Sequence, residues 1–342
     1  MIRTAVLGCG RIGRIHAANL ARHPQARLVC VSDPDEAAAA AVAAETGAAL
    51  RPLHEAVVAP EVDALVIATP TDTHADLIAR AARAGKAVFC EKPIDIFADR
   101  VRSCLAEVEA AGVPLMVGFN RRFDPSFAAL KRRLEAGEIG APELVTILSR
   151  DPAPPPLDYL RRSGGLFRDM TIHDLDMARF LLGEEPVEVQ AAASVLVDPA
   201  IADVGDVDTA VVTLRTESGR LCQISNSRRA GYGYDQRIEV QGAKGMLQAG
   251  NLHRTTVTAA TAEGFLNDPL QDFFLERYAE AYRVELQAFV DALVAGRPPS
   301  PSGEDGLKAL LLADAATEAC SSRATVRPAR AARVHSDADK LL

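Results

Sequence analysis

Short apolar runs alternate with helix-period segments through the first third of the chain. Thr4–Leu7, Arg27–Val31, Ala64–Ala68, Ala87–Cys90 and Leu115–Val117 are compact and apolar throughout. Runs of that kind suit strands buried on both faces. Their alternation with helices predicts a parallel, doubly wound sheet. After Gly118 the pattern changes. Ala141–Arg150, Val187–Val195, Thr209–Thr213, Arg220–Ser225, Arg237–Gln241 and Met246–Ala249 have strand character, with turns at Glu217-Ser218-Gly219 and Gly242–Gly245. Few helices lie between the later strands, so this half is expected to be α+β, built on a large, open, mostly antiparallel meander. Helices are expected over Ser126–Ala136, Pro269–Leu293 and Glu304–Ala319. No internal repeat is evident. The expected organisation is a first domain over 1–119, a second over 120–330, and a C-terminal tail over 331–342.

One helical stretch carries unusual polar spacing. In Ser163–Phe180, Ile172, Leu175 and Ala178 mark an apolar side, while Asp169 and His173 are four apart and Asp176 follows. On a regular α-helix the carboxylate then stacks on the imidazole, which fixes a tautomer and an orientation. That arrangement suits a proton-transferring histidine, although an ordinary surface ion pair has the same spacing.

The first strand runs directly into Gly8-Cys9-Gly10-Arg11-Ile12-Gly13, a helix follows, and the second strand ends at Ser32-Asp33. Gly8 serves a tight turn, Gly10 lets backbone approach a pyrophosphate, and Gly13 permits close helix–strand packing. Arg11 and Ile12 open the helix whose N–H groups would receive the anion. Asp33 would accept hydrogen bonds from ribose hydroxyls and repel a 2′-phosphate. These features predict an N-terminal Rossmann dinucleotide-binding domain that takes NAD over NADP. Thr69, Pro70 and His74 follow the third long strand and Glu91-Lys92-Pro93 the fourth, so all fall at the carboxyl ends where such sheets bind ligands. Lys92 is placed to hydrogen-bond a substrate hydroxyl. Without a cofactor or substrate, each of these charged residues also fits an ordinary surface or ion-pair role.

Composition narrows the alternatives. A formal net charge of −8 excludes general affinity for nucleic acid or anionic membranes. The basic segment Arg323–Arg333 reads as a solvated terminus. Six scattered cysteines without a C-x-x-C pair suit free thiols in a reducing, cytoplasmic compartment, and no zinc spacing is present, so no metal is expected. Neither a membrane span nor a signal-peptide core is apparent. None of the five tyrosines has lysine four residues on, against a Tyr-x-x-x-Lys dehydrogenase.

The fingerprint, Thr69–His74, Glu91-Lys92-Pro93 and the block Gly164-Gly165…Asp169…His173-Asp174 together resemble the glucose–fructose oxidoreductase/inositol dehydrogenase (Gfo/Idh/MocA) family. GFNRRFDP (Gly118–Pro125), SRDPAPPP (Ser149–Pro156) and GYDQRIEV (Gly233–Val240) look like its bacterial inositol 2-dehydrogenase subgroup. The resemblance implies Lys92, Asp169 and His173 as catalytic residues and NAD-dependent oxidation of a cyclitol ring hydroxyl, myo-inositol to 2-keto-myo-inositol. It also implies a homotetramer. Asp176, Arg122, Asp151 and Tyr234 are the candidates for holding the remaining hydroxyls. Another inositol isomer or sugar, an NAD-retaining lyase or glycosidase, and a non-catalytic NAD-binding regulator are the competing readings.

Overall fold

In the computed structural model residues 1–331 are described, and the expected tail beyond 331 lies outside them. The chain divides into two compact units, Met1–Phe119 with Tyr282–Leu310, and Asn120–Ala281 with Leu311–Ala329. The second region was expected to run unbroken to residue 330. Instead Tyr282–Leu310 packs with the first unit.

The first unit is built on β1 (Ile2–Leu7), β2 (Ala26–Ser32), β3 (Ala49–Leu50), β4 (Ala64–Ile67), β5 (Ala87–Glu91) and β6 (Leu115–Gly118). All pairings are parallel, in the order β3-β2-β1-β4-β5-β6. The chain leaves β1 for β2 on one side and later returns to pair β4 on the other. That reversal opens the crevice at the strand ends where such sheets bind ligands. Ala5, Val6, Leu7, Leu65, Val66, Ile67, Val88 and Phe89 are fully buried, as strands covered on both faces require. Asp35 caps the helix Glu36–Thr46 by accepting from Ala37 N (3.0 Å) and Ala38 N (3.1 Å).

The second unit carries β7 (Pro142–Arg150), β8 (Pro186–Ser194), β9 (Thr209–Thr216), β10 (Leu221–Ser227), β11 (Asp235–Gly242) and β12 (Gly245–Ala249). The expectation of a simple meander fails at one place. β8, β9 and β10 do run antiparallel in succession, but β7 lies between β10 and β11, and it pairs β10 in parallel. Sequence order alone does not reveal an inserted strand, because β7 and β10 are both plain half-buried strands of similar composition.

Helical expectations need three corrections. The segment Pro269–Leu293 is a short helix, Phe274–Arg277, followed by Ala279–Val294. Leu157–Ser163, to which no element was assigned, is helical, starting just after Pro156, and Thr258–Thr261 with Gly264–Asn267 form an exposed hairpin not anticipated. The stretch expected to be regular α-helix opens with a π turn, Phe167–Thr171, before the α-helix Ile172–Leu182. Asp169 therefore lies in the wider turn, and its direction relative to His173 is not that of an ideal i, i+4 pair. Ile172, Leu175 and Ala178 are fully buried, as the apolar spacing predicts.

Candidate active site

In the first unit the glycine-rich turn has the shape a dinucleotide phosphate needs. Gly8 has φ +95°, and a Cβ there would lie 2.5 Å from Ala68 O. At Gly13 a Cβ would fall 1.8 Å from Gly8 O, so only glycine lets the helix Arg11–Ala21 approach the turn. Gly10 faces open space and caps that helix without any side-chain hydrogen bond. Arg11 and Ile12 form the first turn, whose N–H groups have no acceptor within the helix itself. The Asp33 carboxylate closes the cradle. It accepts from Cys9 N (2.6 Å) and Asp35 N (2.8 Å), which leaves lone pairs on both oxygens for ribose hydroxyls. The residues present thus fit NAD.

Thr69 and His74 are tied into the fold. Thr69 Oγ1 and Thr73 Oγ1 are 2.6 Å apart, and Pro70 is exposed. The buried His74 ring sets Nδ1 2.8 Å from Pro93 O and Nε2 2.7 Å from Thr69 O, bracing the turn after β4 against the one after β5. Both partners are carbonyl oxygens, so a neutral ring donates to one at a time. Burial pushes the His74 imidazole below its ordinary value, opposed by these contacts. Its ring nitrogens serve the fold, whereas sequence reasoning assigned the residue to the cofactor. Glu91 ends β5 with its Oε1 2.6 Å from His16 Nε2, and Lys92 follows at the strand end.

In the second unit, sheet register brings charged residues together. Arg150 pairs Ser227 across β7 and β10, and Asp151 N donates to Ser227 O (2.9 Å). The next residues along these parallel strands, Asp151 and Arg228, therefore lie side by side, with Arg228 Nη1 4.0 Å from Asp151 Oδ2. Arg228 is 1 % exposed and sends Nη2 to Asp169 Oδ2 at 3.2 Å. The other oxygen of Asp169 accepts from the Tyr159 hydroxyl at 2.8 Å. Burial pushes the Asp151 carboxyl up to about 6; Arg228 opposes the shift and Asp169 adds to it. Arg228 and Tyr159, the partners of Asp169, are the members of this cluster that sequence reasoning missed.

The helix Ile172–Leu182 that carries His173 is anchored on both sides of it. Thr171 Oγ1 donates to Asn226 Oδ1 (2.7 Å), and Asn226 Nδ2 donates to Asp174 Oδ2 (2.7 Å). Asp174 also pairs with buried Arg121, which reaches Ser149 Oγ at 3.1 Å. Burial raises the Asp174 carboxyl, against the pull of Arg121. Neighbours 171 and 174 are thus tied to β10, which holds the stretch of helix that carries His173.

Two of the proposed hydroxyl-holding residues are paired to each other. Arg122 donates to Asp176 through Nε (2.8 Å) and Nη2 (2.6 Å), a bidentate bond with Asp176 almost fully buried. Tyr234 is buried edge-on against Tyr278 (6.0 Å), whereas Tyr232 is 53 % exposed and donates to Asp235 Oδ2 (2.6 Å).

Residues 2–119 match the oxidoreductase family described by its NAD-binding Rossmann fold, and residues 127–248 match the GFO/IDH/MocA C-terminal domain. The chain belongs to the GFO/IDH/MocA family. It is thus an oxidoreductase that uses NAD. The chain is 55 % identical to an inositol 2-dehydrogenase of Rhizobium meliloti over 94 % of its own length and 98 % of that protein. A myo-inositol dehydrogenase of Corynebacterium glutamicum superposes with a TM-score of 0.93 at 46 % identity, covering 97 % of this chain and 100 % of that one. A scyllo-inositol dehydrogenase of Lactobacillus casei, solved with NAD(H) and scyllo-inositol, superposes at 0.89 with 30 % identity, over 96 % and 99 %. The GFO/IDH/MocA match spans both units, so family membership does not rest on the glycine motif alone.

Proposed function

We propose that this enzyme oxidises a ring hydroxyl of a cyclitol, with myo-inositol converted to 2-keto-myo-inositol as its main reaction. The observation that carries this reading is likeness along almost the full length to an inositol 2-dehydrogenase. NAD, when bound, supplies the hydride acceptor for the carbon that is oxidised. His173 takes the hydroxyl proton, and Lys92 hydrogen-bonds the same oxygen as negative charge develops on it. Asp169 orients the histidine, with its own carboxylate held by Arg228 and Tyr159. The N-terminal region is the NAD-binding domain and the second region takes the substrate and forms subunit contacts. Free cysteines, five of them buried, and the absence among the described residues of any helix long and apolar enough to cross a membrane support a cytoplasmic protein. We read the assembly as a homotetramer.

A second cyclitol, scyllo-inositol, is the competing substrate, because the Lactobacillus casei relative was solved with it. The test is NADH formation from NAD by the purified protein with myo-, scyllo- and chiro-inositol and several aldoses. NADH with one cyclitol, and little NADPH from NADP, is the expected result. Silence with every polyol from a folded protein that still binds NAD would replace this reading with an internally redox-cycling lyase or glycosidase.

A further inference from the structure

Behind the Glu91-Lys92-Pro93 turn, the first unit buries an imidazole and two carboxylates together. His16 and Glu285 are both 0 % exposed, and ligand atoms of His16, Glu91 and Glu285 all lie within 4.8 Å of one another. The surroundings are aromatic. The His16 ring meets Phe89 and Tyr282 edge-on at 5.1 and 5.9 Å, and Phe89 meets Phe289 at 5.8 Å. Gly118 makes room for the arrangement: a Cβ there would lie 3.0 Å from Glu91 Oε2.

The two carboxylates are not equivalent. Glu91 Oε1 lies in hydrogen-bond contact with His16 Nε2 at 2.6 Å, while neither oxygen of Glu285 takes part in a hydrogen bond among the described residues. Two ionised carboxylates this close in a buried, largely aromatic pocket repel each other, so the cluster must carry an extra proton, on Glu285 or on the His16 ring, or a metal cation. A divalent ion held by all three would need to stand between His16 and Glu91. Those two are already in direct hydrogen-bond contact, so a proton satisfies the cluster as it stands. The charge belongs on Glu91, which has a donor, and the proton on Glu285, which has none.

We propose that Glu285 is a positioning residue, kept as a neutral carboxylic acid whose O–H is directed at Glu91. Together with His16 it fixes the Glu91 carboxylate and so the turn that presents Lys92. Burial and the neighbouring Glu91 charge both drive the Glu285 carboxyl well above its ordinary value. The functional consequence rests on the reading of Lys92 given above; the protonation state does not.

Infrared difference spectroscopy on the full protein, wild type against Glu285→Gln, tests the protonation without any substrate. A protonated-carboxyl C=O stretch at neutral pH that shifts in deuterated water and vanishes in Glu285→Gln is expected. Its absence from the wild type overturns the proposal. The glutamine amide can replace the acid as a neutral donor. Turnover in Glu285→Gln is therefore expected to stay close to wild type, whereas Glu285→Ala should lose about 10- to 100-fold in kcat, with NAD affinity largely kept. Equal losses in both variants overturn the positioning role. Elemental analysis and titration with manganese or zinc ions provide the remaining arm. One metal equivalent bound by wild type and lost in Glu285→Gln would assign the cluster to a cation and overturn the proton reading.

Discussion

Arg228 and Asp169 meet at 3.2 Å, and Arg228, 1 % exposed, lies under the carboxylate that the catalytic reading assigns to orienting His173. A guanidinium in that place does two things. It gives the Asp169 carboxylate a charged donor on one oxygen, and so fixes the direction in which the second oxygen points toward Tyr159.

Arg228→Met should therefore damage chemistry more than cofactor binding. Removing one partner of a buried ion pair costs about 3–5 kcal/mol, so the melting temperature should fall. In the folded fraction kcat/KM for the cyclitol should drop about 100-fold, while NAD affinity, measured by fluorescence titration, stays near wild type. Unchanged kcat/KM would confine Arg228 to a structural role.

The way these residues come together explains what was legible beforehand. The dinucleotide cradle is local: Gly8 to Gly13 and the strands around them lie within one short βαβ stretch, and each glycine has a steric reason visible in the sequence. His173 and Asp169 were also readable, since both lie on one helical segment, although the π turn at Phe167–Thr171 changes their relative direction. Arg228 was not readable. Its proximity to Asp151 comes from a parallel pairing of β7 with β10, strands separated by helices and two other strands. Nothing in either segment's own pattern specifies that partner. Tyr232 and Tyr234 show the same limit: they are neighbours in one loop, yet only Tyr234 is covered, and its cover comes from Tyr278, which is distant in sequence.

Asp151 offers a pH signature. Its carboxyl is pushed from an ordinary value of 3.8 up to about 6 by burial. Between those values the folded protein holds a proton the unfolded chain has released. This group's contribution to stability is therefore complete below 3.8, falls as pH rises toward about 6, and is constant above that. Asp151→Asn removes the titration. Relative to wild type, the variant should gain stability between about pH 4.5 and about pH 7.5, by at most about 3 kcal/mol. Denaturant unfolding at the two pH values measures this, and an identical difference at both would show that Asp151 titrates normally.

The bidentate Arg122–Asp176 bond predicts a stability effect where sequence reasoning anticipated substrate contact. Lysine cannot reproduce a two-pronged bond, and the Arg122 guanidinium also lies 5.0 Å from the Phe180 ring centroid. Arg122→Lys should lower the melting temperature by several degrees, equivalent to about 2–3 kcal/mol, with KM for the cyclitol changed less than the stability suggests. A normal melting temperature with a strongly raised KM would return the pair to direct substrate binding.

Asp33 has two tasks in this structure, and its replacement should reveal both. One oxygen holds Cys9 N, inside the glycine turn, and the other holds Asp35 N, at the cap of the next helix. The same carboxylate is the group that would repel a 2′-phosphate. Asp33→Ser should weaken NAD by about 10- to 100-fold, from the loss of charge-assisted bonds to ribose at roughly 1.5–3 kcal/mol, and should improve NADP relative to NAD. Asp33→Asn keeps a side-chain oxygen for the Cys9 N–H but loses the charge. If turn geometry dominates, Asn restores NAD affinity; if charge repulsion dominates, Asn relaxes cofactor choice as fully as Ser does. The NAD:NADP ratio of kcat/KM in the two variants separates these contributions, and a ratio equal to wild type in both would remove Asp33 from cofactor selection altogether.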